Sequence, residues 1–194
     1  MKIAILGKGR IGTGLGSAWG TRHEVVYGVR DPSAADERSF GGASKDADVV
    51  VFAIPYGALD AVLDDAGDLS GKVVIDCTNP VAKGMTLAVG HTTSAAEELQ
   101  KRLPDARVFK SFNAQGAENL AAPTYDGRPA SNFFCGDDED AREVVRQLVA
   151  EVGFDPVDAG PLKNARLLEP LMILWVTCAG ALNTREFAFR LLRR

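Results

Sequence analysis

Histidine is nearly absent from this 194-residue chain: only His23 and His91 occur, far apart. No histidine-based metal constellation can be built from them, and no metal site is expected. Cysteine is scarce as well. Cys77, Cys135 and Cys178 are odd in number, widely spaced and set in apolar surroundings. They read as reduced, buried thiols of a cytoplasmic protein, neither a disulfide framework nor a metal set. No long basic block is present and the formal net charge is −4, which argues against nucleic acid as the main partner. The N-terminus runs straight into a strand-like segment, so no signal peptide is expected. The most apolar run, Leu171 to Leu182, is too short to span a bilayer, so no membrane partner is expected. Repeats and low-complexity segments are missing too, and the length fits one domain with at most a small appendage.

What the chain does have is concentrated at its start. Lys2-Ile3-Ala4-Ile5-Leu6 is a short apolar run, followed at once by Gly7-Lys8-Gly9-Arg10-Ile11-Gly12 and then by helix-like spacing. This reads as strand, glycine turn and helix, the opening of a dinucleotide-binding fold. Gly7 permits the tight turn, and Gly9 lets a pyrophosphate approach the backbone. Gly12 lets the helix pack close to the strand, and the helix N-terminus points its free N–H groups at the anion.

The second strand, Glu24 to Arg30, carries the cofactor preference. Sites that prefer NAD place Asp or Glu at this strand's end to hold the ribose 2′-OH. Here Arg30 follows Gly28 and Val29, and an arginine can grip a 2′-phosphate in bidentate fashion. Asp31 is the rival, as ribose acceptor or as opener of the Asp-Pro-Ser turn. The reading favours Arg30 as phosphate ligand and NADP over NAD.

Farther along, Asp31 to Ala47 holds at most a very short strand. Asp48 to Ile54 is a continuous apolar run ended by Pro55, as expected of a parallel strand covered on both faces. A short helix about Leu59, Val62 and Leu63 precedes the strand Lys72 to Cys77. That strand is broken by Thr78-Asn79-Pro80, which places Asn79 and Pro80 at a carboxyl end, where open α/β sheets bind ligands. Val81 to Gly90 reads as loop, and Ser94 to Arg102 as a capped helix stopped before Pro104. Arg107 to Phe112 is a strand leading into Asn113 and a short helix to Leu120. Ala121 to Pro129 reads as loop and Ser131 to Gly136 as strand. The next helix has acid in its first turn and Gly153 at its C-terminal cap. Phe154 to Ala159 is a last strand, and Lys163 to Leu182 a long helix kinked at Pro170. The alternation predicts an α/β, Rossmann-type doubly wound, mostly parallel sheet over residues 1–162, with helix and tail 163–194 packed on it.

These motifs, with Phe52-Ala53-Ile54-Pro55, Asp76-Cys77-Thr78-Asn79-Pro80, Lys110-Ser111-Phe112-Asn113, Gly136-Asp137-Asp138 and Leu168-Glu169-Pro170, resemble the coenzyme F-420-dependent NADP reductases. The block Gly153-Phe154-Asp155-Pro156-Val157-Asp158-Ala159-Gly160-Pro161-Leu162 is the most specific part of the match. The N-terminal domain of six-transmembrane metalloreductases is similar. The resemblance implies a homodimer and an NADPH lying across Gly7, Lys8, Gly9, Arg10, Ile11 and Gly12, with Arg30 at the 2′-phosphate. It implies Ala53, Ile54 and Pro55 along the cofactor and Asn79, Pro80, Phe112 and Asn113 around the nicotinamide. A deazaflavin or flavin acceptor stacks nearby. The second basic residue often found one turn after the arginine is replaced here by Ala34, with Arg38 as a substitute.

The chemistry points the same way. Reduction of a carbonyl needs a proton donor beside the substrate oxygen, and the chain has neither a Tyr-x-x-x-Lys pair nor a separate helical substrate domain. Transfer between a nicotinamide and a flavin-like ring needs mainly close parallel stacking, so no catalytic side chain is assigned. The same absence supports a second reading, a non-catalytic NADP(H)-binding sensor. Asp76 is expected to hold turn N–H groups, Lys110 to be structural or to steer phosphate, and His91 to lie exposed in a loop or touch the acceptor. The apolar helix around Met172 and Trp175 lies at a dimer interface, in the acceptor pocket or in the core.

Overall fold

A computed structural model describes all residues from Met1 to Arg194. In chain order the elements begin β1 (Lys2–Leu6), α1 (Arg10–Trp19), β2 (Glu24–Gly28), β3 (Glu37–Arg38), α2 (Phe40–Ser44), β4 (Val49–Phe52), α3 (Leu59–Ala66) and β5 (Val73–Asp76). There follow β6 (Val81–Ala82), β7 (Thr86–Leu87), α4 (Ala95–Arg102), β8 (Arg107–Lys110), α5 (Glu118–Ala121), β9 (Thr124–Tyr125) and β10 (Arg128–Pro129). The chain closes with β11 (Ser131–Gly136), α6 (Glu139–Val152), β12 (Asp155–Asp158) and α7 (Ala165–Leu182).

The main sheet has eight strands in the order β12-β11-β8-β5-β4-β1-β2-β3. The six from β8 to β3 are parallel, in the order of dinucleotide-binding folds. At the far edge β11 runs antiparallel to β8, and β12 runs parallel to β11. Side chains alternate across each strand. Ile3, Ile5, Val49, Val51 and Ile75 therefore pack on one face against Leu15 and Trp19 of α1 and Val145 and Leu148 of α6. Ala4, Leu6, Val50, Phe52 and Val74 pack on the other, against Val62, Leu99 and Leu168 of α3, α4 and α7. Burial on both faces is why β4 and β5 read as unbroken apolar runs.

The chain leaves β1 toward β2 on one side and returns at β4 on the other, so strand order reverses between β1 and β4. A crevice opens there at the carboxyl ends, the place where such sheets bind ligands.

Several segments depart from the expectations. The two loops expected at 81–90 and 121–129 each contain a two-residue-per-strand hairpin, β6 with β7 and β9 with β10. Gly84 and Gly127, at φ 77° and 73°, make their turns. β8 stops at Lys110, because Phe112 adopts φ 56° and turns the chain out of the sheet. The long helix is also more than its apolar run. With the turn before it, Leu162–Leu182 is a 21-residue helical stretch, long and apolar enough by length and composition alone to cross a bilayer. Its inner face is bolted to the domain through Glu169, Leu168, Met172 and Trp175. Its outer face carries Leu167, Leu174 and Leu182 at 68%, 50% and 60% exposure. The tail beyond it lies back on the domain. Phe187 stacks on Trp175 with ring centroids 5.0 Å apart, and Ser131 N–H donates to the Phe189 carbonyl at 2.9 Å. Of the three cysteines, Cys77 and Cys135 are buried and Cys178 is half-buried, and none is paired.

Candidate functional site

The glycine turn forms the floor of the crevice. Gly7 sits at φ +106°, and a Cβ there would lie 2.5 Å from the Ala53 carbonyl oxygen and 2.8 Å from Ile54 Cγ2. A Cβ on Gly12 would lie 2.0 Å from the Gly7 carbonyl oxygen, so any larger residue drives α1 off β1. Gly9 is the opposite case, with open space where its Cβ would be. Gly9 is also the N-cap of α1, with no side-chain cap and no acidic residue in the first turn. The amides of Arg10, Ile11 and Gly12 accordingly donate to no acceptor in the chain. Open space, free donors and a favourable helix end suit a pyrophosphate. Ala53 and Ile54, both half-buried, and exposed Pro55 line the crevice from the β4 side.

The side chain of Arg10 turns away from the strand ends. Its Nη2 lies 2.6 Å from Glu118 Oε1, and Arg185 of the tail holds the same carboxylate at 3.0 Å. Ile11 packs into the core beneath α1.

The loop after β2 lies at one end of the crevice. Arg30 is exposed and its guanidinium has no partner in the chain. Arg38 does not take the place of the missing second base, because its guanidinium is bonded to the carbonyls of Ala35 and Glu37. Lys8 lies 4.8 Å over the Tyr27 ring with Nζ 3.0 Å from Asp36 and 2.8 Å from Glu37. The lysine and the Ser33 and Ala34 amides hold the Glu37 carboxyl down at about 2.

At the other end of the crevice the loops after β5 and β8 meet. Asn79 Nδ2 donates to the Asn113 carbonyl at 2.9 Å. Asn113 Nδ2 donates to Asn79 Oδ1 at 2.9 Å and to the Leu168 carbonyl at 2.8 Å. Pro80 is buried beside them. Beneath this pair sits Lys110, fully buried with Asp76 and Glu169. Its Nζ lies 2.8 Å from Asp76 Oδ2, 2.9 Å from Glu169 Oε1 and 2.7 Å from the Thr78 carbonyl. Burial lowers its pKa, and the two carboxylates more than reverse that, holding the ammonium charged above the usual lysine value. Glu169 also accepts the Ala95 and Ala96 amides at 3.1 and 3.2 Å, at the start of α4. Asp76 accepts the Thr78 amide at 2.8 Å, as expected of a carboxylate that holds a turn. Lys110 is thus structural and steers no phosphate.

Phe112 does not reach the nicotinamide position that the resemblance implies for it: its ring is 1% exposed and packs edge-on against Trp19 at 5.7 Å. The reversed φ at this residue swings the side chain under α1 instead of into the crevice. Two other residues of the same loops carry polar atoms without a partner. Thr78 Oγ1 and Gln115 Nε2 are buried polar atoms with no partner in the chain, and such groups call for a ligand or water. Thr78 lies two residues past the end of β5 and Gln115 five past the end of β8, in the loops at the carboxyl edge of the sheet. Tyr56 lies half-buried after Pro55, past the end of β4. Burial first, then the fields of Glu169 and Asp60, raise its pKa and keep the phenol protonated. His91 is exposed in its loop, and no group of three His, Cys, Asp or Glu side chains comes together as metal ligands.

Residues 2–80 match the family model described as NADP oxidoreductase, coenzyme F420-dependent. A crystal structure of a proposed F420-dependent NADP reductase from Arthrobacter sp. FB24 is 32% identical with a TM-score of 0.91, covering 100% of both chains. Metalloreductase STEAP3 of Rattus norvegicus is 31% identical over 89% of this chain. The chain spans only 37% of that relative's length. A reductive aminase from Aspergillus terreus, solved with NADPH and ethyl levulinate, shares the fold at 18% identity and a TM-score of 0.69, over 93% of this chain and 63% of its own.

Proposed function

Because the chain belongs to the family of coenzyme F420-dependent NADP oxidoreductases, we propose that it transfers a hydride between the nicotinamide of NADP(H) and a deazaflavin (coenzyme F-420) or flavin-like ring. The observation that carries this reading is the state of the ionisable groups at the nicotinamide end. Asp76, Lys110 and Glu169 are fully buried and bonded to one another, so none can exchange a proton with a substrate oxygen. The two rings supply the chemistry when bound, and the protein supplies position. The α1 amides hold the pyrophosphate, Arg30 takes the 2′-phosphate, and the Asn79–Asn113 pair fixes the loops on which the nicotinamide rests.

A homodimer belongs to the same proposal. Leu167, Leu171, Leu174, Cys178 and Leu182 recur along α7 at helical spacing, and the most exposed of them leave an apolar stripe uncovered. A second copy covers that stripe, in a cytoplasmic, thiol-reducing setting.

The test is the initial rate of NADPH oxidation with deazaflavin, FMN, FAD and a ferric chelate supplied separately, with NADH as control. Turnover with a ring acceptor, faster from NADPH, is expected and should survive in Tyr56→Phe. Tight NADPH binding without turnover on any acceptor would favour the non-catalytic sensor. Loss of turnover in Tyr56→Phe would instead make the phenol a proton donor to a substrate oxygen.

A further inference from the structure

Glu37 is an odd residue to find beside a 2′-phosphate site, and its contacts are odder. One carboxylate oxygen, Oε1, lies 2.8 Å from Lys8 Nζ. The other, Oε2, accepts the Ser33 amide at 2.9 Å, the Ala34 amide at 3.0 Å and the Ser33 hydroxyl at 3.3 Å. Two adjacent backbone amides, one hydroxyl and one ammonium converge on a single anion. That is the donor set of a phosphate cradle, built on the loop that begins with Arg30 and closed by a lysine from the glycine turn. The Glu37 side chain is only 12% exposed, so it fills the cradle and does not merely edge it.

We infer that this cradle is the seat of the cofactor's 2′-phosphate, and that Glu37 is an internal anion occupying it until NADP(H) displaces the carboxylate. The inference rests on the NADP reading above. Glu37 lies on β3, the last and shortest strand of the sheet, so its side chain can turn outward without disturbing the core. Its departure frees the Ser33 and Ala34 donors. Lys8 is then shared between the phosphate and Asp36, whose carboxylate already holds it at 3.0 Å. Lys8 thereby supplies the second positive charge that Ala34 cannot, beside the unpartnered Arg30. Glu37 lowers NADPH affinity and leaves NADH, which carries no 2′-phosphate, almost unaffected. It is a specificity-determining residue acting against the preferred cofactor.

The adenosine end can be tested apart from any hydride chemistry, with 2′,5′-ADP and 5′-AMP titrated into the full chain. Wild type, Glu37→Gln and Lys8→Met are compared by calorimetry. Glu37→Gln keeps an oxygen for the Ser33 and Ala34 amides but removes the charge. It should raise the preference for 2′,5′-ADP over AMP about tenfold, while AMP itself changes by less than about twofold. Lys8→Met should lower the preference by a similar factor. A wild-type preference for 2′,5′-ADP that is unchanged in Glu37→Gln would leave the NADP reading standing and overturn the displaceable-anion inference. No preference in wild type or in Glu37→Gln would overturn both. Should Glu37→Gln fail to fold, Lys8→Met decides alone: equal losses for both ligands mean a structural clamp, and a loss confined to 2′,5′-ADP supports the cradle.

Discussion

The molecule contains two lysines, each held between two carboxylates, one at either end of the same crevice. Lys110 lies between Asp76 and Glu169 with all three side chains at 0% exposure. Lys8 lies between Asp36 and Glu37 at the surface, 29% exposed itself. The chemical inventory is nearly identical and the physics is opposite. In the interior an ion leaving its partners meets no water, so the cluster is held permanently. At the rim water and salt screen the charges and the net attraction is small, so partners can exchange. The inner cluster therefore joins β5, β8, α4 and α7 into a fixed seat beneath the nicotinamide end. The outer one is free to trade a carboxylate for a phosphate.

The largest expected effect comes from breaking the inner cluster. Lys110→Met leaves two carboxylates buried without their cation and should cost about 3–5 kcal/mol of unfolding free energy in urea titrations. A loss below about 1 kcal/mol would mean that the cluster is not closed to water. Phe112→Ala should cost a similar amount, about 3–5 kcal/mol, as a core truncation, with the KM for NADPH nearly unchanged in whatever fraction remains folded. A large KM effect without destabilisation would return the ring to the cofactor. Gly12→Ala forces a Cβ against the Gly7 carbonyl and should cost about 1–3 kcal/mol together with most dinucleotide affinity. Lys8→Met should change stability by less than about 1 kcal/mol, and an effect as large as that of Lys110→Met would erase the distinction between the two ends.

The smallest effect is one of pH. The Glu37 and Glu118 carboxyls are held down at about 2, mainly by hydrogen bonds from Lys8 and from Arg185. A carboxylate depressed in the folded state adds stability that is complete above its unfolded value, near the usual glutamate pKa, and fades as pH falls toward 2. Thermal midpoints followed from pH 6 downward should decline over that window, and Glu37→Gln should flatten part of the decline. An unchanged slope would show that the rim carboxylate is not bonded in solution.

How far the sequence announced all this depended on distance along the chain. The glycine turn was legible because strand, turn and helix are contiguous and each glycine answers a local requirement. The apolar runs of β4 and β5 were legible because parallel strands are buried on both faces. The hairpins at 81–87 and 124–129 are hard to read from sequence although Asp126-Gly127 is a hairpin signal, since strands of two residues leave no alternation to see. Phe112 is illegible from sequence because its residue type and position fit a site, while a single reversed φ past the end of β8 decides where its ring goes. The two lysine clusters were illegible for a different reason. Asp76, Lys110 and Glu169 stand on separate elements, and only the folded topology brings them together. Lys8 and Glu37 likewise meet only because β3 pairs beside β2. Local rules reach the turn, and the fold makes the clusters.

The account turns on Arg30 and the 2′-phosphate. The direct measurement is titration of NADPH and NADH into wild type and Arg30→Ala, read as dissociation constants at fixed ionic strength. Losing a bidentate charged contact costs about 1.5–3 kcal/mol, so Arg30→Ala should weaken NADPH by roughly tenfold to a hundredfold. NADH should change by less than about twofold. Equal losses for both cofactors would contradict the account, because the arginine would then bind something the two share.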